Sequence, residues 1–289
     1  MGQLELTGVA KRFGAKQVLT DLSMHVPAGS IYGFVGANGA GKTTTMRLIL
    51  GLDTLDAGTI RLAGDTRTPI GYLPDVPEYY GYMTPREYLT LCGQVAGLRG
   101  GELRTRCGEL LQTVDLPDDR RRIHGFSRGM KQRLGIAQAL LGHPALLICD
   151  EPTSALDPEG RSEFLTLLAS LRGETTVLFS THILSDVERI ADHVGILAQG
   201  HLQVEGNLAQ LKTRFAQPRI LVRFATAAAA QAAQPVLGGR VVDATVTLAA
   251  SADVTMSTVL AKLAATQADP VAITRQATSL EDIYMAVTK

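Results

Sequence analysis

Residues 36–44 read GANGAGKTT, set between the apolar run IYGFV at 31–35 and TMRLILGL at 45–52. Gly36, Gly41, Lys42 and Thr43 stand at the spacing of the full phosphate-loop pattern. Glycine lets backbone N–H groups turn inward around phosphates with no Cβ in the way, and a helix that follows presents its positive end to the same anion. Met46, Ile49 and Leu50 make a helical stripe, so the loop is expected to join a strand to a helix. In that setting Gly36, Ala37, Asn38, Gly39, Ala40 and Gly41, with Thr44, form the phosphate-binding set. Lys42 would reach the β and γ phosphates and Thr43 would ligate magnesium. A glycine-rich turn without a ligand is the alternative, and the flanking strand and helix argue against it.

A phosphate loop alone does not separate kinases, GTPases and motor ATPases. The run ALLICDEPTSALD at 145–157 supplies a second half. An apolar strand ending in Asp150 places one carboxylate at the C-terminal edge of a sheet, where the magnesium of a bound nucleotide lies. Glu151, one residue on, points elsewhere, toward an attacking water. Two carboxylates capping a turn would look the same in isolation. No Asn-Lys-x-Asp motif occurs, so guanine specificity has no support.

The chain has 289 residues, 45% hydrophobic and 19% charged, enough for one large domain and a smaller one. Lys+Arg and Asp+Glu both number 28, so no global positive field favours nucleic acid as a partner. Cys92, Cys107 and Cys149 are unevenly spaced among apolar or helix-forming neighbours, which suits reduced, packed thiols and a cytoplasmic setting. The opening MGQLELTGVAKRFG lacks a signal-peptide core, and no run of about 18 apolar residues would span a bilayer, so a soluble chain is expected.

Strand candidates at 31–35, 145–149, 176–180 and 193–198 alternate with helical patterns, which predicts an α/β domain around a largely parallel sheet. From 84 to 124 the pattern turns helical, with Leu103, Cys107, Leu110, Leu111 and Val114 on one face. A second helix at 129–142, with Met130, Leu134, Ala137 and Leu141 along one face, extends this insert to about 142. After Gly206 the chain becomes rich in alanine. RILVRFA and DATVTLA alternate as strands, helices are expected at 227–235, 256–267 and 280–287, and Ser279 with Asp282 fits a capping box. Residues 1–216 are therefore expected to form one domain and 217–289 a small α+β accessory domain with no recognisable catalytic constellation.

The order of these motifs resembles the nucleotide-binding subunit of an ATP-binding cassette (ABC) transporter over roughly residues 3–210. GFSRGMKQRLGIAQAL at 125–140 precedes the acid pair as the family's signature does, SALD at 154–157 matches its D-loop, and STHIL at 180–184 places His182 as its switch histidine. The resemblance implies a P-loop NTPase core of the ABC ATPase type, with ATP and Mg2+ as cofactors. Phe13 takes the place of the aromatic that stacks on adenine, and Glu151 and His182 take the catalytic places. Two cassettes would close face to face, each ATP held between one phosphate loop and the other subunit's Ser127 and Gly129. Ser127 would serve as N-cap and hydroxyl donor, with the helix dipole behind it.

IGYLPDVPEYYGYMTPREYL at 70–89, FSRGMKQRL at 126–134 and the ending TSLEDIYMAVT are similar to ATPases serving ABC-2 type exporters. That subgroup implies a separate transmembrane permease, received by the helical insert near Tyr79, Tyr80 and Tyr82, with the chain peripheral on the inner face of the membrane. Two departures stand out. Asp75 replaces the family's usual glutamine; it is a candidate magnesium ligand or a simple loop aspartate. Arg128 and Met130 replace a glycine and a glutamine of the signature. Arg128 either turns to solvent or adds charge beside the opposing ATP. A soluble ABC ATPase acting on nucleic acid or the ribosome, and a weakly hydrolysing regulatory subunit, are the two other readings open to the sequence.

Overall fold

The computed structural model describes residues 2–63, 69–216, 218–251, 253–266 and 268–288. The chain divides into two compact units, one ending at Leu208 and the other spanning Ala209–Val287.

In the first unit, β1 (Gly2–Phe13) and β2 (Lys16–Pro27) form a long antiparallel hairpin. Next come β3 (Ile31–Val35), α1 (Lys42–Ile49), β4 (Ala57–Leu62) and β5 (Ile70–Leu73). The helical stretch holds α2 (Pro85–Val95), α3 (Gly100–Thr113) and α4 (Arg128–Ala139). Then follow β6 (Leu146–Cys149), α5 (Pro158–Ser170), β7 (Thr176–Thr181), α6 (Leu184–Ile190), β8 (His193–Ala198) and β9 (His201–Asn207).

The main sheet has the order β5-β6-β7-β3-β8-β9, parallel except for the β8–β9 pair. β3, β6 and β7 are buried along their whole length, which is why they read as unbroken apolar runs rather than alternating ones. All four strand candidates are found within a residue of their expected bounds. The order places β7 between β3 and β6, so the loops that leave these three strands open side by side at their C-terminal ends. A second, antiparallel sheet has the order β2-β1-β4.

The helical stretch forms as its pattern demands. Thr84 and Glu87 make a reciprocal capping box with Pro85 in the first turn of α2. Leu103, Cys107, Leu110, Leu111 and Val114 are all buried. The helix expected at 129–142 is shorter: α4 stops at Ala139 with Leu140 as its C-cap, and the chain turns away at His143, which has a positive φ of 50° between Gly142 and Pro144. Leu141 is buried, but beyond the helix.

The smaller unit begins with the rest of α7 (Leu208–Arg214) and continues as β10 (Arg219–Arg223), α8 (Ala227–Leu237), β11 (Arg240–Val242), β12 (Thr245–Ala249), α9 (Met256–Thr266), β13 (Ala272–Gln276) and α10 (Leu280–Val287). From β10 to β13 this is a βαββαβ unit, and its antiparallel sheet order β11-β12-β10-β13 is that of the ferredoxin-like split βαβ. Ile220, Val222, Val246 and Leu248 line one sheet face and join Ala230, Ala233, Leu237, Val259 and Leu263 from the two helices in a separate core. Ser279 and Asp282 form the expected capping box: the Ser279 N–H donates to Asp282 Oδ2 at 3.0 Å and the Asp282 N–H to Ser279 Oγ at 3.1 Å.

Candidate functional site

Residues 36–41 bridge β3 and α1 at the mouth of the main sheet. Gly41 has a φ of +112°, and a Cβ there would lie 2.7 Å from Leu19 Cδ2; at Gly36 it would lie 2.6 Å from the Leu197 carbonyl oxygen. The chain therefore needs glycine at both positions. The first turn of α1 carries no acidic side chain, and Thr43 is exposed at its start. Both features leave the N-terminal end open to an anion.

Lys42 is buried and folds back over the loop. Its Nζ donates to the carbonyl oxygens of Gly36 at 2.7 Å and Ala37 at 3.3 Å. The same ammonium lies 3.0 Å from Glu151 Oε1, close enough for an ion pair although outside hydrogen-bond geometry. The other oxygen of Glu151 meets His182 Nδ1 at 2.8 Å. An ionised carboxylate only accepts, so Nδ1 carries the proton in this contact. Phosphate loop, acid pair and switch histidine thus converge on one carboxylate.

The acid pair diverges as the sequence implies. Asp150 is buried just past β6, while Glu151 has a φ of +46°, in the left-handed region that non-glycine residues rarely occupy. The turn is closed by the Ser154 N–H donating to the Glu151 carbonyl at 3.2 Å. From β7, the fully buried Ser180 hydroxyl accepts the Glu151 N–H at 2.9 Å and donates to Asp150 Oδ1 at 2.6 Å.

Phe13 sits at the tip of the β1–β2 hairpin, 47% exposed, with Lys11 Nζ 5.1 Å from its ring centroid. Lys11 is in turn held by the Thr54 carbonyl at 2.7 Å. β2 runs past the phosphate loop at Leu19, so the hairpin borders the nucleotide side of the sheet.

Ser127 caps α4 as expected, its Oγ accepting the Met130 N–H at 3.2 Å. Ser127, the exposed Arg128 and Gly129 line a cavity of about 560 Å3 shared with Leu156 and Asp157. No residue of 36–44 lines that cavity, so the signature and the phosphate loop are not brought together within one chain.

Asp75 is engaged elsewhere. Ser154 Oγ donates to its Oδ1 at 3.0 Å, and Gln132 Nε2 reaches its carbonyl at 3.3 Å. Among the described residues no cluster of three or more His, Cys, Asp or Glu side chains could hold a metal ion by itself.

A family model described as ABC transporter matches residues 19–154. An uncharacterized ABC transporter ATP-binding protein, YxlF of Bacillus subtilis (strain 168), is 43% identical over 213 residues, 72% of this chain and 72% of the relative. The chain belongs to the ABC transporter ATP-binding proteins. The bacitracin transport ATP-binding protein BcrA of Enterococcus faecalis is 39% identical, over 73% of this chain and 71% of its own. The dimeric post-hydrolysis structure of the ATP-binding cassette MJ0796 with ADP and Pi superposes with a TM-score of 0.62 at 25% identity, covering 71% of this chain and 98% of that one. This ABC subunit is accordingly an ATPase of a transport system, with the P-loop α/β fold of its family.

Sequence reasoning did not single out two buried polar residues bonded to these motifs. Ser180 lies inside the quoted STHIL, but its role depends on the register that sets Cys149 opposite Phe179. Asp186 is almost wholly buried and accepts from Thr153 Oγ1 and Arg161 Nε, both at 2.6 Å, which fixes the D-loop from α5 and α6. Only an Asp in the first turn of a short helix was visible in the sequence.

Proposed function

We propose that this ABC ATPase powers export through a separate transmembrane partner of the ABC-2 type, working as a dimer of cassettes. The observation that carries the reading is the Glu151 carboxylate held between Lys42 at 3.0 Å and His182 at 2.8 Å. ATP phosphates entering the loop would take over Lys42 and leave Glu151 with His182, where it is placed to accept a proton from an attacking water. His182 would then contact the γ-phosphate and hold Glu151 in line. Gly36, Ala37, Asn38, Gly39, Ala40, Gly41 and Thr44 would cradle the phosphates, and Phe13 would stack on adenine. Ser127 and Gly129 would complete the site of the second subunit; the separation of their cavity from the phosphate loop supports this, since one chain alone leaves both halves open.

Magnesium fits the donors present. Thr43 offers a hydroxyl and Asp150 a carboxylate, both hard oxygen ligands that suit an ion whose other ligands would be waters and phosphate oxygens. Bound there, Mg2+ would neutralise phosphate charge. Asp75 would join this set through Oδ2, since Ser154 holds its Oδ1.

The membrane partner would meet the exposed Val76, Tyr80 and Tyr82 beside α2. Tyr79 is turned inward instead: its hydroxyl donates to the Lys131 carbonyl at 2.6 Å and its ring meets Tyr88 edge-on at 5.2 Å. No helix among the described residues is long and apolar enough to cross a membrane. Subunits of bacitracin transport among the relatives, and the ABC-2-like wording of 70–89 and 126–134, favour export. Co-purification tests it: a membrane protein that co-purifies with this chain should stimulate its ATP turnover several-fold, and stimulation by RNA instead would favour an RNA-linked ABC ATPase.

A further inference from the structure

We infer that Ser180 is a positioning residue that sets the two carboxylates of the acid pair for their different tasks. The inference rests on reading Asp150 as a metal ligand and Glu151 as the base. Ser180 is fully buried in β7 between the apolar Phe179 and Thr181, at the strand end between the phosphate loop and the acid pair. A hydroxyl has one proton and two lone pairs. The proton goes to Asp150 Oδ1 at 2.6 Å, and a lone pair takes the Glu151 N–H at 2.9 Å.

Each bond has a separate consequence. Holding Oδ1 fixes the rotation of the Asp150 carboxylate and leaves Oδ2 as the oxygen offered to a metal. Holding the Glu151 N–H stabilises a backbone at φ +46°, and that conformation turns the Glu151 side chain back toward Lys42 and His182. An alanine at 180 would leave the Glu151 N–H without its acceptor in a closed turn and free Asp150 to rotate. Partners that orient metal ligands in this way typically change affinity or rate about 10- to 100-fold when removed.

The test measures two things on the purified full chain: Mn2+ binding in the presence of ADP, read by electron paramagnetic resonance, and kcat and KM for ATP. Ser180→Ala should weaken Mn2+ binding about tenfold and lower kcat by about tenfold or more while KM changes by less than about threefold. Ser180→Thr, which keeps the hydroxyl, should recover most of both. Should the alanine variant fail to fold, Ser180→Cys keeps the size with a weak donor and is expected to show the same two losses. Mn2+ affinity and kcat within twofold of the parent in the folded alanine or cysteine variant would overturn the proposal, as would equal losses in Ser180→Thr and Ser180→Ala with unchanged melting temperatures. Glu151→Gln is run alongside: parental turnover in that variant would remove the reading of the acid pair whatever Ser180 does.

Discussion

Lys42 and Glu151, far apart in the sequence, meet at 3.0 Å between the phosphate loop and the acid pair. The ammonium that would reach the phosphates is thus the same group that pairs with the proposed base. Under the proposed function, binding of ATP would release Glu151 from Lys42.

Lys42→Ala removes the group shared between Glu151 and the phosphates in that exchange. ATP affinity is expected to fall at least tenfold, which corresponds to about 1.4 kcal/mol. Titration with a fluorescent ATP analogue checks it, and unchanged affinity would show that the ammonium does not reach the phosphates.

His182→Ala should separate binding from chemistry. Its Nδ1 contact with Glu151 at 2.8 Å orients the base, so turnover is expected to drop about 100-fold. Affinity for ATP should stay within about threefold, measured on the same preparation.

Ser154→Ala and Asp75→Ala should move the Mg2+ requirement in opposite directions. Ser154 Oγ holds Asp75 Oδ1 at 3.0 Å, so losing the hydroxyl frees the carboxylate to rotate and offer both oxygens to a metal, and losing the carboxylate removes it. The Mg2+ concentration for half-maximal turnover is expected to fall in the first variant and rise in the second. If neither moves it, Asp75 is only a tie between its own loop and the D-loop.

Asp282→Asn tests the smaller unit. The Ser279 backbone N–H is the main group holding the Asp282 carboxyl below its usual range, helped by the Ser279 hydroxyl and Arg219 and opposed by partial burial. A depressed folded value contributes stability above the unfolded value, about 4, and that stability is lost as pH falls through the folded one. The variant should melt below the parent at pH 7, and the gap should narrow as pH falls below about 4 in a thermal scan. A constant gap at both pH values would contradict the assignment.

Much of the site was legible because its chemistry sits in contiguous stretches. A phosphate loop, an acid pair and a switch histidine each announce themselves beside a wholly buried strand, and such strands read plainly as apolar runs. The β1–β2 hairpin was not read, because strands with one exposed face and several bulges break their alternation. β11, three residues long, and β13, with the sequence AITRQ, carry too little pattern to stand out, and without them the βαββαβ order could not be seen. Pro235 reads as a break, yet α8 runs through it to Leu237, where its last turn ends. The bridge from Ser180 to Asp150 and Glu151 depends on strand register, which no local stretch of sequence encodes.

The account stands most directly on Glu151. ATP turnover and self-association of Glu151→Gln, measured together on the purified protein, should show hydrolysis reduced at least 100-fold with ATP binding retained and an ATP-dependent dimer accumulating. Turnover within a few-fold of the parent would contradict the assignment of Glu151 as the base.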